Sequence, residues 1–253
     1  MTINYKIMSF RKERASELER MAQLLDKCIG KDVNTSSIYK AINELKNTSF
    51  IPTLKDGSRN QNIWGYDIED FEMTLDTLKH VKPKDITKGK VYLSIKLRAF
   101  VDSWSDMNDP FVELGFNVFI KGIAEKIYHF GFHIDRHCSA FDSFEPHPIY
   151  HLHYNINPTE SENYDSGTIM HLDTPRLLHY PLDFILGIGF LTSNFFPTAF
   201  NLLIDERDYL KLHSIYQERI LKPYFHTLAN HWRPFEANNI TWSPINNLCP
   251  TFL

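Results

Sequence analysis

The chain has 253 residues, 43% hydrophobic and 14% aromatic, which is enough length and apolar material for one large folded domain and excludes a disordered chain. A net charge of −4 and a pI near 6.3 exclude a global basic field that would gather nucleic acid or anionic membrane. Cys28, Cys138 and Cys249 are far apart and form neither a CxxC pair nor a disulfide framework; with no apolar signal core in the first twenty residues, the expected address is cytoplasmic.

Residues 1–85 read as an N-terminal helical region. Ser9 is placed to cap a helix running to about Ile29, with Leu18, Met21, Leu24 and Leu25 at helical spacing and Gly30 as the stop. Thr35 and Ser36 introduce a second helix whose stripe is Ile38, Ile42 and Leu45. Asp56-Gly57 marks a turn, and the acids opening Asp67 to Val81 suit the N-terminal turn of a third helix. Two short helices around a tight connection resemble a DNA-binding helix-turn-helix, but no set of recognition residues rich in Arg, Lys or Asn accompanies them. The region is therefore expected to pack against the rest or to dock a protein partner.

Residues 86–253 read as an α+β domain. From Val91 to Val101 the odd positions are apolar and the even ones mostly polar, the two-residue period of a half-buried strand. Glu113 to Ile120 repeats it, and Ile127 to His137 repeats it again with Tyr128, Phe130, Phe132 and Ile134 on one face. The segment around Tyr150, Leu152 and Tyr154, and a short one around Ile169 to Asp173, complete an antiparallel sheet of about five strands. Leu182 to Phe196 is apolar almost all round, as a helix buried on the sheet should be, yet it is too short for a bilayer. Asp205 to about Leu221 is an amphipathic helix that Pro223 stops or kinks. The expected fold is α+β, with an N-terminal helical layer and C-terminal helices on the apolar face of the sheet.

The polar face concentrates the chemistry. Eight of the twelve histidines lie between His129 and His179. HxDxH at His133, Asp135 and His137, HxH at His151 and His153, and HxD at His171 and Asp173 each keep their ionisable groups on one side of their own strand. Alternate residues on a strand are ~6.6 Å apart, so spacing favours a divalent ion, Zn or Mn, held by His151 and His153 with Asp135 or Asp173 as the carboxylate. Two imidazoles and one carboxylate leave coordination positions open for water or substrate. His133 or His171 is then the proton carrier, and Arg176 the residue that steadies an anion.

Two other readings fit the same residues: a metal-free acid–base site using paired imidazoles, as in a toxin-like nuclease, and a structural network in which His and Asp satisfy one another inside a non-catalytic subunit. HxH with Glu160 downstream resembles half of a cupin motif, but only Gly131 and Gly167 are near it. HExxH, a Walker loop and GxGxxG are absent, and Gly187-Ile188-Gly189 suits close helix packing. The expected activity is metal-dependent hydrolysis of a phosphodiester or nucleotide.

Overall fold

The computed structural model describes residues 5–75, 84–101, 109–125, 127–137, 147–155 and 176–229. Seven strands form one sheet in sequential order: β1 (Val33–Asn34), β2 (Ile63–Thr74), β3 (Lys88–Phe100), β4 (Phe111–Ile123), β5 (Ile127–Arg136), β6 (Tyr150–Asn155) and β7 (Leu177–Leu178). Every neighbouring pair is antiparallel. α-Helices precede β1, follow β1 and follow β7, while β2 to β7 run without an intervening α-helix among the described residues, so the fold is α+β. The expected strand near Ile169 to Asp173 lies outside the described residues.

The helix expected over Asp67 to Val81 is a correction. Its first eight residues belong to β2, and 76–81 lie outside the described residues. The register explains the misreading. Ile68 pairs with Ile95 but Phe71 with Leu93, so β2 carries one extra residue there. Asp70, in this bulge, takes a left-handed φ of 50°. Trp64, Tyr66 and Ile68 are buried at period two, then the bulge stretches one step to three before Phe71 and Met73 resume. A three-residue step between apolar side chains imitates a helix.

The helices gather on one side of the sheet. In α1 (Tyr5–Cys28) Phe10 stacks edge-on against Trp64 at 5.3 Å. Ser9 lies inside this helix rather than at its cap. Arg11 donates to the carbonyls of Glu44, Asn47 and Phe50 at 2.7–2.9 Å, which ties α1 to the end of α2 (Ser36–Lys46). In α3 (Phe184–Phe195), Phe184 packs on Phe71 and Phe190 on Phe116 and Phe132. A Cβ at Gly187 would lie 2.2 Å from the Phe116 ring, and one at Gly189 2.4 Å from His213 Nε2. Gly187 allows the close approach of α3 to the sheet, and Gly189 its close approach to the helix carrying Tyr209 and His213. After α4 (Pro197–Ile204), α5 (Arg207–Tyr216) passes through a π-helical turn (Gln217–Leu221) into α6 (Lys222–Ala229). Pro223 follows that turn, and the wider winding absorbs its missing N–H.

Ile38, Leu93, Leu97, Phe116, Ile134 and Ile188 all belong to one core, on the helix side of the sheet. The other face bears Lys96, Asn117, His133 and His151. At its β2–β4 end it is crossed by the segment after α2: Thr53 accepts from Arg98 at 3.1 Å, and the backbone N–H of Lys55 donates to Glu113. Neither α1 nor α2 covers the histidine end. Among the described residues no helix is long and apolar enough to cross a membrane.

Candidate metal centre

Packing on the helix side decides which residues face outward. Phe132 and Ile134 of β5 are buried, Phe132 against Phe190 and Phe195, and Tyr150 of β6 is fully buried against Tyr224. Alternation then sends His133, Asp135, His151 and His153 to the opposite face. Register brings them together: Asp135 pairs with His151, and His133 with His153. The pairing is anchored from beneath. Tyr150 donates to Asp109 Oδ1 at 2.6 Å, Arg136 approaches Asp109 at 3.4 Å, and the His137 N–H donates to the Ile149 carbonyl at 2.8 Å.

Donor atoms of His133, Asp135 and His151 all lie within 4.8 Å of one another. Asp135 stands between the two imidazoles, with Oδ1 3.1 Å from His151 Nε2 and Oδ2 3.7 Å from His133 Nε2. A tetrahedral ion ~2.0–2.1 Å from each donor holds neighbouring donors about 3.4 Å apart. The carboxylate contacts bracket that value, and a turn of the His133 ring closes the third side.

The protonation of His151 carries the strongest information. Its Nδ1 lies 3.0 Å from the Pro148 carbonyl, which can only accept, so Nδ1 holds the hydrogen. A neutral ring then directs the lone pair of Nε2 at Asp135 Oδ1. Burial lowers the pKa of His151 to about 4 and outweighs the raising effect of Asp135. In the neutral ring that burial favours, the Nε2 lone pair faces Oδ1 at 3.1 Å, and in the protonated ring the same contact is an ion pair; Oδ1 is shielded from water in either case. Only a cation or a proton between them makes that approach favourable. An imidazole N–H given to a backbone carbonyl is also the usual outer partner of a metal-bound histidine, because it fixes tautomer and ring orientation.

Other imidazoles continue from this group. His147 lies 4.8 Å from His151 and 4.6 Å from His137, ring to ring, and His153 lies 5.1 Å from His133. On the β4 side, Gly115 pairs with Asp135 and exposed Asn117 with His133. Gly115 itself puts no side chain beside the carboxylate.

Of the residues expected to hold metal, the structure brings Asp135 and His151 together. His133, expected as a proton carrier, stands as the third donor, and His153 lies beyond it. His171 and Asp173 lie outside the described residues. Arg176 immediately precedes β7, whose Leu178 pairs with His151. His147, beside Pro148, reads from sequence as a turn residue or a rim of the site, with the turn favoured; the structure sets its ring edge-on to His151. No family model, curated protein or solved structure matches the chain.

Proposed function

We propose that the protein is a metal-dependent hydrolase whose divalent ion, Zn or Mn, is held by His133, Asp135 and His151. The observation that carries the reading is the convergence of His133, Asp135 and His151 donor atoms within 4.8 Å, with His151 Nε2 3.1 Å from Asp135 and its Nδ1 3.0 Å from the Pro148 carbonyl. Two nitrogens and one carboxylate leave positions for water and substrate, and an ion there lowers the pKa of bound water and polarises the scissile centre. His153, stacked against His133, is within reach to move protons, and Arg176 is close enough along the chain to steady an anion. A phosphodiester or nucleotide is the substrate class that matches these cationic groups. A cytoplasmic place of work accords with the free thiol of Cys28.

The test is metal content and chelator-sensitive hydrolysis. Protein loaded with zinc or manganese and dialysed should retain about one ion per chain and cleave bis(p-nitrophenyl) phosphate, and Asp135→Asn and His151→Ala should lose both. A protein that retains no ion, and whose cleavage survives chelator, is instead the metal-free acid–base enzyme.

A further inference from the structure

The outward face of the sheet carries a second feature one step from the donors. Tyr92 of β3, Phe119 of β4 and His129 of β5 form a row of rings across three strands, with centroids 6.3 Å and then 5.1 Å apart. Phe119 is exposed at 37%. Its neighbour on β5 is Gly131, which is buried and adds no side chain of its own beside the ring. Phe119 is the exposed member of this row, with Tyr92 and His129 half-buried beside it. A ring displayed in this way offers a face on which a planar base can stack.

The rows are ordered. Lys121 pairs with His129 at one end, and among the described residues it makes no ion pair. The aromatic row follows, then Asn117 with His133, then Gly115 with Asp135. Rows on one face are ~6.6 Å apart and the donors occupy the next two, so the centre lies about 10 Å from the stacked rings. A base, its sugar and its phosphate, with the ion bound beyond a phosphate oxygen, span that distance. The charge favours a small ligand over a long strand. Lys90 is paired with Glu72 at 2.6 Å and Lys96 with Glu113 at 2.8 Å, so among the described residues no continuous cationic track crosses this face.

We infer that the substrate is a mononucleotide whose base stacks on Tyr92, Phe119 and His129 while its phosphate reaches the ion on His133, Asp135 and His151. The inference rests on the metal-dependent reading for the phosphate end only. Asn117, exposed between the two rows, is placed to meet the sugar or the base edge.

Calorimetric titration of the zinc-loaded protein with adenosine 5′-monophosphate, uridine 5′-monophosphate and ribose 5-phosphate tests it. Stacking predicts that both nucleotides bind at least ~10-fold more tightly than ribose 5-phosphate. Phe119→Ala should bring that ratio near one, whereas Phe119→Trp should preserve it, which separates stacking from a folding defect. Equal affinity for nucleotide and ribose 5-phosphate overturns the proposal, as does a ratio that Phe119→Ala leaves unchanged. A short single strand that binds far more tightly than the mononucleotide, with a steep salt dependence, also overturns it. Repeating the titration after chelation keeps the two readings apart: a Phe119-dependent preference for nucleotide that persists there supports the platform even where the ion proves absent.

Discussion

Replacing Asp135 by Asn distinguishes a metal centre from a structural ion pair, because the two predict opposite signs. In the neutral tautomer set by Pro148, His151 Nε2 is an acceptor 3.1 Å from Asp135 Oδ1. Asn keeps the shape and places an amide N–H there, turning an acceptor–acceptor contact into a hydrogen bond. A net gain near 1 kcal/mol follows. For a chain of this size that is a rise of about 2–4 °C in the melting midpoint of the metal-free protein. Metal reverses the order. At a free ion concentration one hundred times its Kd the wild type gains about 2.7 kcal/mol, or roughly 5–10 °C, and Asp135→Asn gains almost nothing. Thermal shift measurements on chelator-treated protein, with and without zinc or manganese, read both effects. A variant that melts several degrees lower without metal would refute the reasoning, since it would mean that Nε2 carries a proton and the two residues form a buried ion pair.

Removing donors separately checks the cross-strand set: His133→Ala should lower zinc affinity at least ~10-fold, while His153→Ala retains the ion and reduces turnover, as equilibrium dialysis and steady-state rates would show. Acidification should destabilise the metal-free protein through His151. Its folded pKa, near 4, lies below the ordinary 6.5, so between those values the unfolded chain binds the extra proton and stability falls as pH falls. Asp183, raised to about 7 by burial, acts with the opposite sign, so the readout is the difference between wild type and His151→Gln in urea midpoints at pH 7.5 and 5. An identical loss in both removes His151 from the account. Gly187→Ala gains helix propensity of about 1 kcal/mol but drives a methyl to within 2.2 Å of Phe116. Overpacking of about 1–3 kcal/mol should win, and Phe116→Leu in the same chain should recover part of the loss on urea denaturation.

Much of the sheet was legible because its strands obey one rule without interruption. Val91 to Val101, Leu114 to Ile120 and Phe132 to Ile134 alternate cleanly, and each is buried as its parity requires, with Ile120 only partly so. The rule failed where a single backbone irregularity entered. The extra residue at Glu69–Asp70 changed the apolar step from two to three, and no local signal distinguishes that from a helix turn. The site was legible as a face but not as a constellation. Spacing along one strand put His151 and His153 on a common ion, yet residues opposed across an antiparallel pair lie ~4.5–5.5 Å apart, closer than the ~6.6 Å between alternate residues on one strand. The nearest carboxylate to His151 is therefore Asp135, and His133 follows it. That partnership depends on the register of β5 against β6. Sequence does not fix it, because the connection from His137 to Tyr150 is too long for a hairpin turn to dictate.

The register is instead held from the far side of the sheet, which is why a centre so unfavourable to itself persists. Two acceptors at 3.1 Å would drift apart on a free hairpin. Here Phe132 and Ile134 are locked under α3, and Tyr150 is held by Asp109 and Arg136, so separating Asp135 from His151 would break core contacts. A buried hydrogen bond from Tyr150 to a carboxylate contributes roughly 1.5–3 kcal/mol, enough to outweigh the local repulsion. Tyr150→Phe should therefore relax the donors and weaken metal binding, although its hydroxyl faces away from the ion. Packing on one face of the sheet thus holds Asp135 beside His151 on the other, which is the placement the proposed ion requires.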